Sequence, residues 1–213
     1  MFHFALKNIL FYKGRSLTTF ILTFISTMLF IVYVSMMDGS HDSMLKNSLK
    51  VYGSAIEIYH KDYRDLGGNE YLITDVKTIE NKLSKIDGIQ LFSSRYETYG
   101  LLSFKDFSTA SMVVGINPAK EAELSELKNA LTSGEYLKDD SQNCIYIGKG
   151  VASKLKVKVS DEISFIGGAS DNSFAADIFR VCGVFKTGLF EFDSSAAFVS
   201  KEYFDTLMLS QNK

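Results

Sequence analysis

The chain has 213 residues, 46% of them hydrophobic, and a formal net charge of −2. This length and composition suffice for one globular domain with a buried core and argue against a second independent one. Residues 1–37 carry Lys7, Lys13 and Arg15 and no acidic side chain, whereas the rest of the chain holds the other 20 basic and all 25 acidic side chains. That larger part has no concentrated basic face, which argues against a nucleic-acid partner.

Residues 1–15 are predicted to form a short amphipathic segment on the cytoplasmic side of a membrane. Phe4, Leu6, Ile9, Leu10 and Lys13 are spaced so that an apolar face and a basic face can form on one helix. We expect this helix to lie along the membrane surface with its lysines toward anionic head groups.

The run from Ser16 to Met37 contains 22 residues without a charge. As a helix it would be about 33 Å long, sufficient to cross a hydrocarbon core of about 30 Å. A cleaved signal peptide is the alternative, but its apolar region would be shorter and would end at small residues, whereas this run continues into Asp38. We therefore predict a transmembrane helix over 16–37, with a cytoplasmic N-terminus because Lys7, Lys13 and Arg15 precede it.

Residues 38–52 keep a helical spacing of apolar side chains after the span. Met44, Leu45, Leu49 and Tyr52 continue a stripe that begins at Met37. A stripe of this kind needs a partner, so we predict a stalk helix that packs on the chain's own domain or on another subunit.

Residues 53–213 are predicted to fold as one extracytoplasmic domain of the α+β class. Its first part is interpreted as a β-α-β unit with a strand at Ala55–His60, a helix at Thr74–Ile86 opened by a threonine cap, and a strand at Ile89–Tyr96. Later strands are predicted at Tyr99–Lys105, Thr109–Ile116, Cys144–Gly148, Glu162–Ile166, Phe174–Phe185 and Ser195–Ser200, and helices at Glu121–Leu131, Val151–Leu155 and Lys201–Met208.

The sequence contains no complete motif of a metal site or of a phosphate-binding loop. His3, His41 and His60 do not lie at metal-ligand spacing with other ligand residues. Gly148-Lys149-Gly150 lacks the upstream glycine and the hydroxyl residue of a phosphate-binding loop, so a turn between a strand and a helix is the better interpretation. We predict no catalytic, cofactor-binding or metal-binding residue and no enzymatic activity.

Cys144 and Cys182 are both predicted near strands on the outer side of the membrane. They could form a disulfide in an oxidising compartment, and two buried free thiols explain the same sequence.

Two blocks of the sequence resemble permeases of the lipoprotein-releasing type (LolC/LolE) in the MacB-like ABC transporter superfamily. The first block, residues 113–166, contains a Gly115-Ile116-Asn117-Pro118 turn, Gly134 with Leu137, Ile147-Gly148, Val151-Ala152, Leu155, Val157 and Asp161. The second block, residues 179–208, is similar to the family's strand, Thr-Gly pair, acidic-aromatic step and closing helix. Met37-Asp38-Gly39 resembles the family's membrane exit.

The resemblance implies one N-terminal transmembrane helix followed by a MacB-like periplasmic core domain of mixed sheet with flanking helices. It further implies that the chain is the N-terminal portion of a permease in the bacterial inner membrane. Permeases of this family continue into further membrane helices beyond the position of Lys213, so the chain is expected to be either a fragment of a longer permease or a split or decayed copy. A separate cytoplasmic ABC ATPase would bind the ATP and move the periplasmic domain through the membrane helices, a relay called mechanotransmission. The implied partners are this ATPase, a second permease subunit, and the lipoproteins or other amphipathic substrates extracted from the membrane.

The sequence departs from the family at identifiable positions. Ser160 replaces the family's glycine before Asp161, where a positive φ would cost energy for any other residue. The central glycines of the family's first membrane helix are missing. The segment Gly167–Asp177 is short and acidic where the family can carry a hook that docks a periplasmic chaperone. The sequence therefore does not favour docking by this subunit, and the partner subunit could supply the contact with a chaperone.

The candidate substrate groove lies at the membrane exit. Val34, Met37, Met44 and Leu45 are apolar residues that could line a lipid-accepting groove together with helices of the partner, and ordinary stalk packing is the alternative. Two other functions stay open: a MacB-like exporter of peptides or antibiotics, and a single-span sensor or adaptor whose outer domain binds a ligand.

Overall fold

The computed structural model describes residue 7 and residues 11–52, 56–63, 71–73, 75–139, 143–171 and 173–208. Within 42–49 it describes the backbone only. The chain divides into two compact units, Met1–Ser48 and Leu49–Lys213. The predicted segment of residues 1–15, including His3, Phe4, Leu6, Ile9 and Leu10, lies largely outside the described residues.

The described part of the first unit is mainly one apolar helix. Helix α1, Lys13–Val51, runs for 39 residues and extends into the second unit, and its section Lys13–His41 is long and apolar enough to cross a membrane. The hydroxyls of Thr19, Thr23 and Thr27 donate to the carbonyls four residues earlier, so these polar side chains satisfy their hydrogen-bonding needs inside the helix. None of that apolar section is buried inside the protein. The predicted boundaries at residues 16–37 stay a prediction.

The second unit is a mixed sheet with short flanking helices, which confirms the predicted α+β class. Its strands are β1 (Tyr96–Phe104), β2 (Phe107–Ile116), β3 (Leu131–Gly134), β4 (Cys144–Gly148), β5 (Glu162–Gly168), β6 (Phe174–Phe185) and β7 (Ala196–Ser200). Its helices are α2 (Val76–Leu83), α3 (Pro118–Leu124), α4 (Lys149–Leu155), α5 (Phe190–Asp193) and α6 (Lys201–Leu207).

The strand order is β3-β6-β4-β7-β2-β1-β5, and β5 also pairs with β6. Because β5 pairs with both β1 and β6, the six strands β6, β4, β7, β2, β1 and β5 form a closed ring. Strand β3 lies outside the ring and pairs with β6. The β2–β7 and β4–β6 pairs are parallel, and the others are antiparallel. The closed ring leaves few strand edges open to pairing with other chains.

The central strands are buried on both faces. Ile145 and Ile147 of β4 belong to one hydrophobic core, while Cys144 and Tyr146 belong to a second core on the other face. This double burial explains why β4 and β7 are continuous apolar runs. In β5, by contrast, exposed and buried residues alternate because one face meets solvent.

Two predicted strands at the start of the second unit are wrong. Residues 56–60 form no strand, and Ala55 lies outside the described residues. Residues 89–95 are irregular, and the strand begins only at Tyr96. Polar and apolar side chains of both segments line a surface groove, and Ile56 and Leu91 are 79% and 49% exposed, so the predicted β-α-β unit is wrong.

Two helices differ from their predicted limits. Asp75, which accepts a hydrogen bond from the Thr78 amide, caps α2, while Thr74 lies outside the described residues. The helix predicted at Glu121–Leu131 begins earlier, at Pro118, because Asn117 caps it and Pro118 suits its first turn. It ends at Leu124, where Ser125 takes an extended conformation. The other predicted strands and helices are confirmed within a few residues, and β3 and α5 were not predicted.

Candidate functional site

The proposed groove residues at the membrane exit lie on α1. Val34 is 38% exposed and Met37 is 61% exposed within this chain, so both are available to a partner or to lipid. The side chains of Met44 and Leu45 lie outside the described residues. The role of these four residues in binding substrate stays a prediction.

The last turn of α1 is fixed by hydrogen bonds to its terminal carbonyls. A helix end leaves such carbonyls without partners inside the helix, so other groups must satisfy them. The amide of Glu126 donates to the carbonyl of Lys50 at 3.0 Å, and Nη1 of Arg95 donates to the carbonyl of Tyr52 at 2.7 Å. Val51, between them, is buried. This turn belongs to the second unit, so these contacts lie within one compact body.

Arg95 is held by a carboxylate from a third element. Its Nε and Nη2 donate to the two carboxylate oxygens of Glu121 at 3.0 and 2.7 Å, a bidentate pair. The side chain of Glu121 is fully buried, and that of Arg95 is 11% exposed. Burial acts to lower the pKa of Arg95, but the hydrogen bonds and charge of Glu121 raise that pKa by more. The guanidinium therefore stays charged inside the protein.

The ring of Tyr52 completes this cluster. The guanidinium carbon of Arg95 lies 4.1 Å from the ring centroid, which is a cation–π contact. The Tyr52 hydroxyl donates to Glu97, and the ring packs against Phe192 and Phe198. Burial and the adjacent Glu97 carboxylate raise the pKa of Tyr52 well above its usual value, so the phenol keeps its proton. We call Tyr52, Arg95, Glu97 and Glu121 the helix-end cluster.

A groove of about 890 Å³ runs beside the helix-end cluster. This volume falls within the range of small-molecule sites. Its lining is mainly apolar and aromatic and includes Ile56, Tyr63, Leu72, Val76, Ile79, Ile89 and Tyr96. Two of its charged side chains, Lys201 and Asp205, pair with each other, and Glu80 pairs with Lys120.

The other candidates from the sequence have structural roles. Gly148 and Gly150 begin α4 where it approaches the backbone of Asp193 and Ser194, and a Cβ at either glycine would lie within 2.5 Å of an atom of those residues. Among the described residues, no group of three or more His, Cys, Asp or Glu side chains is arranged to hold a metal. The Sγ atoms of Cys144 and Cys182 are bonded.

The helix-end cluster was missed by the sequence interpretation. Arg95 was assigned to a strand and Glu121 to the start of a helix, and neither carries a motif. Their partners are distant in sequence, since Arg95 is separated by 43 positions from Tyr52 and by 26 from Glu121. The sequence carries no local signal for this pairing. Only the structure shows that Glu121 lies on the buried side of a short helix, opposite Arg95 at the start of β1.

No family model and no curated protein matches the chain. A similar solved structure is the extracellular domain of the noncanonic ABC-type transporter YknZ from Gram-positive bacteria. It is 20% identical, the match covers 66% of this chain and 68% of that one, and the TM-score is 0.47. A likeness at this level assigns no activity.

Proposed function

We propose that this chain is the N-terminal portion of an ABC transporter permease that releases lipoproteins or other amphipathic substrates from the bacterial inner membrane. A separate cytoplasmic ATPase supplies the energy, and a second permease subunit completes the substrate path. The chain itself binds no ATP and carries out no chemical reaction.

The observation that carries this proposal is the continuity of α1. A single helix contains an apolar section of sufficient length to cross a membrane and ends in a turn that is built into a folded domain. A helix of this kind suits a relay that converts movement inside the membrane into movement outside it. The two sequence blocks that resemble lipoprotein-releasing permeases support the same role.

The charge distribution supports the orientation in the proposal. All three basic residues of 1–37 precede the apolar run, which favours a cytoplasmic N-terminus and an extracytoplasmic second unit. A disulfide between Cys144 and Cys182 would suit the oxidising side of the membrane.

The decisive test is substrate release by the reconstituted complex with a charge at the membrane exit. Met37→Asp should reduce release of a lipidated substrate by tenfold or more, because an uncompensated carboxylate opposes contact with acyl chains. Met36→Asp is the matched control: it lies at nearly the same depth, but neighbouring residues of a helix point about 100° apart.

Normal release with Met37→Asp would remove Met37 from the substrate path. Equal loss in both variants would indicate a defect in membrane insertion instead of substrate contact. Copurification with tagged full-length protein tests the partners, and a preparation without an ATPase and a second permease would contradict the proposal. A peptide or antibiotic exporter would instead copurify with the ATPase but fail to release lipoproteins.

The groove in the second unit favours one other function, a single-span adaptor that binds a ligand outside the cytoplasm. Its volume and apolar lining would suit a neutral small molecule. This function predicts that the purified chain carries a bound organic molecule detectable by native mass spectrometry. It also predicts that the protein acts without an ATPase, which the copurification distinguishes.

A further inference from the structure

We propose that the Arg95–Glu121 pair is the joint that holds the end of α1, residues 49–52, in place against α3 and the start of β1 within the second unit. Arg95 is here a positioning residue, which contacts the helix end and acts through it. The proposal rests on the proposed function, because a relay that pulls on a helix needs a stiff attachment at its end.

One side chain connects three elements. The guanidinium of Arg95 binds the carbonyl of Tyr52, the residue that directly follows α1, and contacts the ring of the same residue. Its other nitrogens bind Glu121 of α3. Arg95 itself directly precedes β1. Movement of the helix end away from the sheet would therefore break the carbonyl hydrogen bond and the ring contact together.

The planar fork of arginine suits this arrangement better than other cations. It offers two parallel donors to one carboxylate while a further donor points at a carbonyl. Lysine has a single charged nitrogen and cannot reproduce both contacts in one geometry. The joint therefore predicts a specific requirement for arginine and not merely for positive charge.

The pair is poorly explained as a source of stability alone. Taking both charges out of water is costly, and well-packed apolar residues of similar size often stabilise a protein as much as a buried ion pair does. What such residues cannot do is bind the carbonyl of Tyr52. The fixed position of the Tyr52 carbonyl is thus the property that the ion pair supplies and an apolar pair would lack.

Two neighbouring contacts hold Lys50 and Val51 but do not involve Tyr52. Val51 is buried, and the Glu126 amide binds the carbonyl of Lys50. Neither contact uses the side chain of Arg95. We therefore expect local loosening of the last turn in a domain that stays folded.

The test uses the full chain in lipid nanodiscs and compares amide hydrogen exchange with thermal unfolding. The key variant is Arg95→Met with Glu121→Leu, which replaces the buried pair by apolar side chains. Lys138→Met with Glu135→Leu is the matched control, because that ion pair is 69% and 77% exposed. Arg95→Lys keeps the charge and serves as a second variant if the apolar pair fails to fold.

We expect amides of residues 49–52 to exchange at least tenfold faster in the apolar pair and in Arg95→Lys, while exchange in β2 and β7 stays within twofold. The control pair should change neither region. Unchanged exchange at 49–52 in a folded variant would overturn the proposal, and so would an equal increase in β2 and β7, because that would indicate a purely structural role.

Release assays on the same variants separate this inference from the proposed function. Faster exchange at residues 49–52 together with fewer substrate molecules released per ATP hydrolysed supports both the joint and the proposed function. Faster exchange at these residues with normal release supports the joint and contradicts the relay. Unchanged exchange overturns the joint whatever the release assay gives.

Discussion

Cys144, the first residue of β4, is bonded to Cys182 in β6, with their Cα atoms 5.7 Å apart and a sequence separation of 38. The bond joins two parallel neighbouring strands, and Cys144 is also part of a hydrophobic core. A crosslink of this loop length restricts the unfolded chain and stabilises the folded one by about 2–4 kcal/mol.

We predict that Cys144→Ala, Cys182→Ala and the double variant lower the free energy of unfolding by similar amounts, about 2–4 kcal/mol. Either single substitution already removes the whole bond, so the two effects should not add. Urea unfolding with and without a reductant measures this, and the reductant should affect the wild type alone. Two reactive thiols in denatured, unreduced protein would contradict the prediction.

Much of the second unit could be predicted because its signals are local. The limits of β6 follow from a long apolar and β-branched run between turn residues, and α4 and α6 follow directly after strands whose apolar runs end sharply. The closed ring of strands could not be predicted, because it depends on the pairing of β5 with both β1 and β6.

The errors have a common physical cause. The segments at Ala55–His60 and Ile89–Tyr96 alternate as strands do, but alternation produces a strand only where a neighbouring strand pairs with it. Residues 56–60 and 89–95 pair with no strand among the described residues, and Ile56, Ile58 and Leu91 stay 79%, 52% and 49% exposed. The helix-end cluster was missed for a related reason, because a buried arginine is recognised by its partners and those partners are remote in sequence.

Ser160 has a positive φ of 79°, in the region that favours glycine. Its amide donates to the carbonyl of Val181 at 2.7 Å, which holds the turn before β5 in this conformation. We predict that Ser160→Gly raises the free energy of unfolding by up to about 1 kcal/mol. A residue with a Cβ is strained at positive φ, and relief of this strain should outweigh the greater conformational entropy that glycine gives to the unfolded chain. Ser160→Ala is the control and should give no gain. A loss of stability in the glycine variant would show that the turn is not strained.

Gly148 lies where β4 passes into α4, and a Cβ there would sit 2.2 Å from the carbonyl oxygen of Asp193. A backbone oxygen cannot rotate away as the end of a flexible side chain can. We therefore predict that Gly148→Ala lowers the free energy of unfolding by at least about 2 kcal/mol. Gly39→Ala is the control, because a Cβ there meets nothing within 4 Å. Equal unfolding midpoints for Gly148→Ala and the wild type would contradict the close approach of α4 to Asp193.

Tyr96 links the stability of the second unit to alkaline pH. Its side chain is buried, and among the described residues its hydroxyl has no hydrogen-bond partner. Burial, with the nearby charge of Asp205, raises the pKa of Tyr96 to about 12. In the unfolded chain a tyrosine titrates near pH 10, so above this pH the unfolded state binds fewer protons than the folded state. The free energy of unfolding must then fall as the pH rises from about 10 to about 12, and Tyr96 should have no such effect below pH 10.

We predict that Tyr96→Phe makes this alkaline decline shallower by up to about 1.4 kcal/mol per pH unit, because the substitution removes one titrating group. At pH 8 the variant should be as stable as the wild type or more stable by up to about 1 kcal/mol, since it no longer buries a hydroxyl without a partner. Urea unfolding at pH 8, 10, 11 and 12 measures both effects. Tyr99→Phe, at a ring that is 74% exposed, is the matched control and should follow the wild type. A large loss of stability for Tyr96→Phe at pH 8 would mean that the hydroxyl has a partner after all, and parallel pH profiles would mean that Tyr96 does not titrate on unfolding.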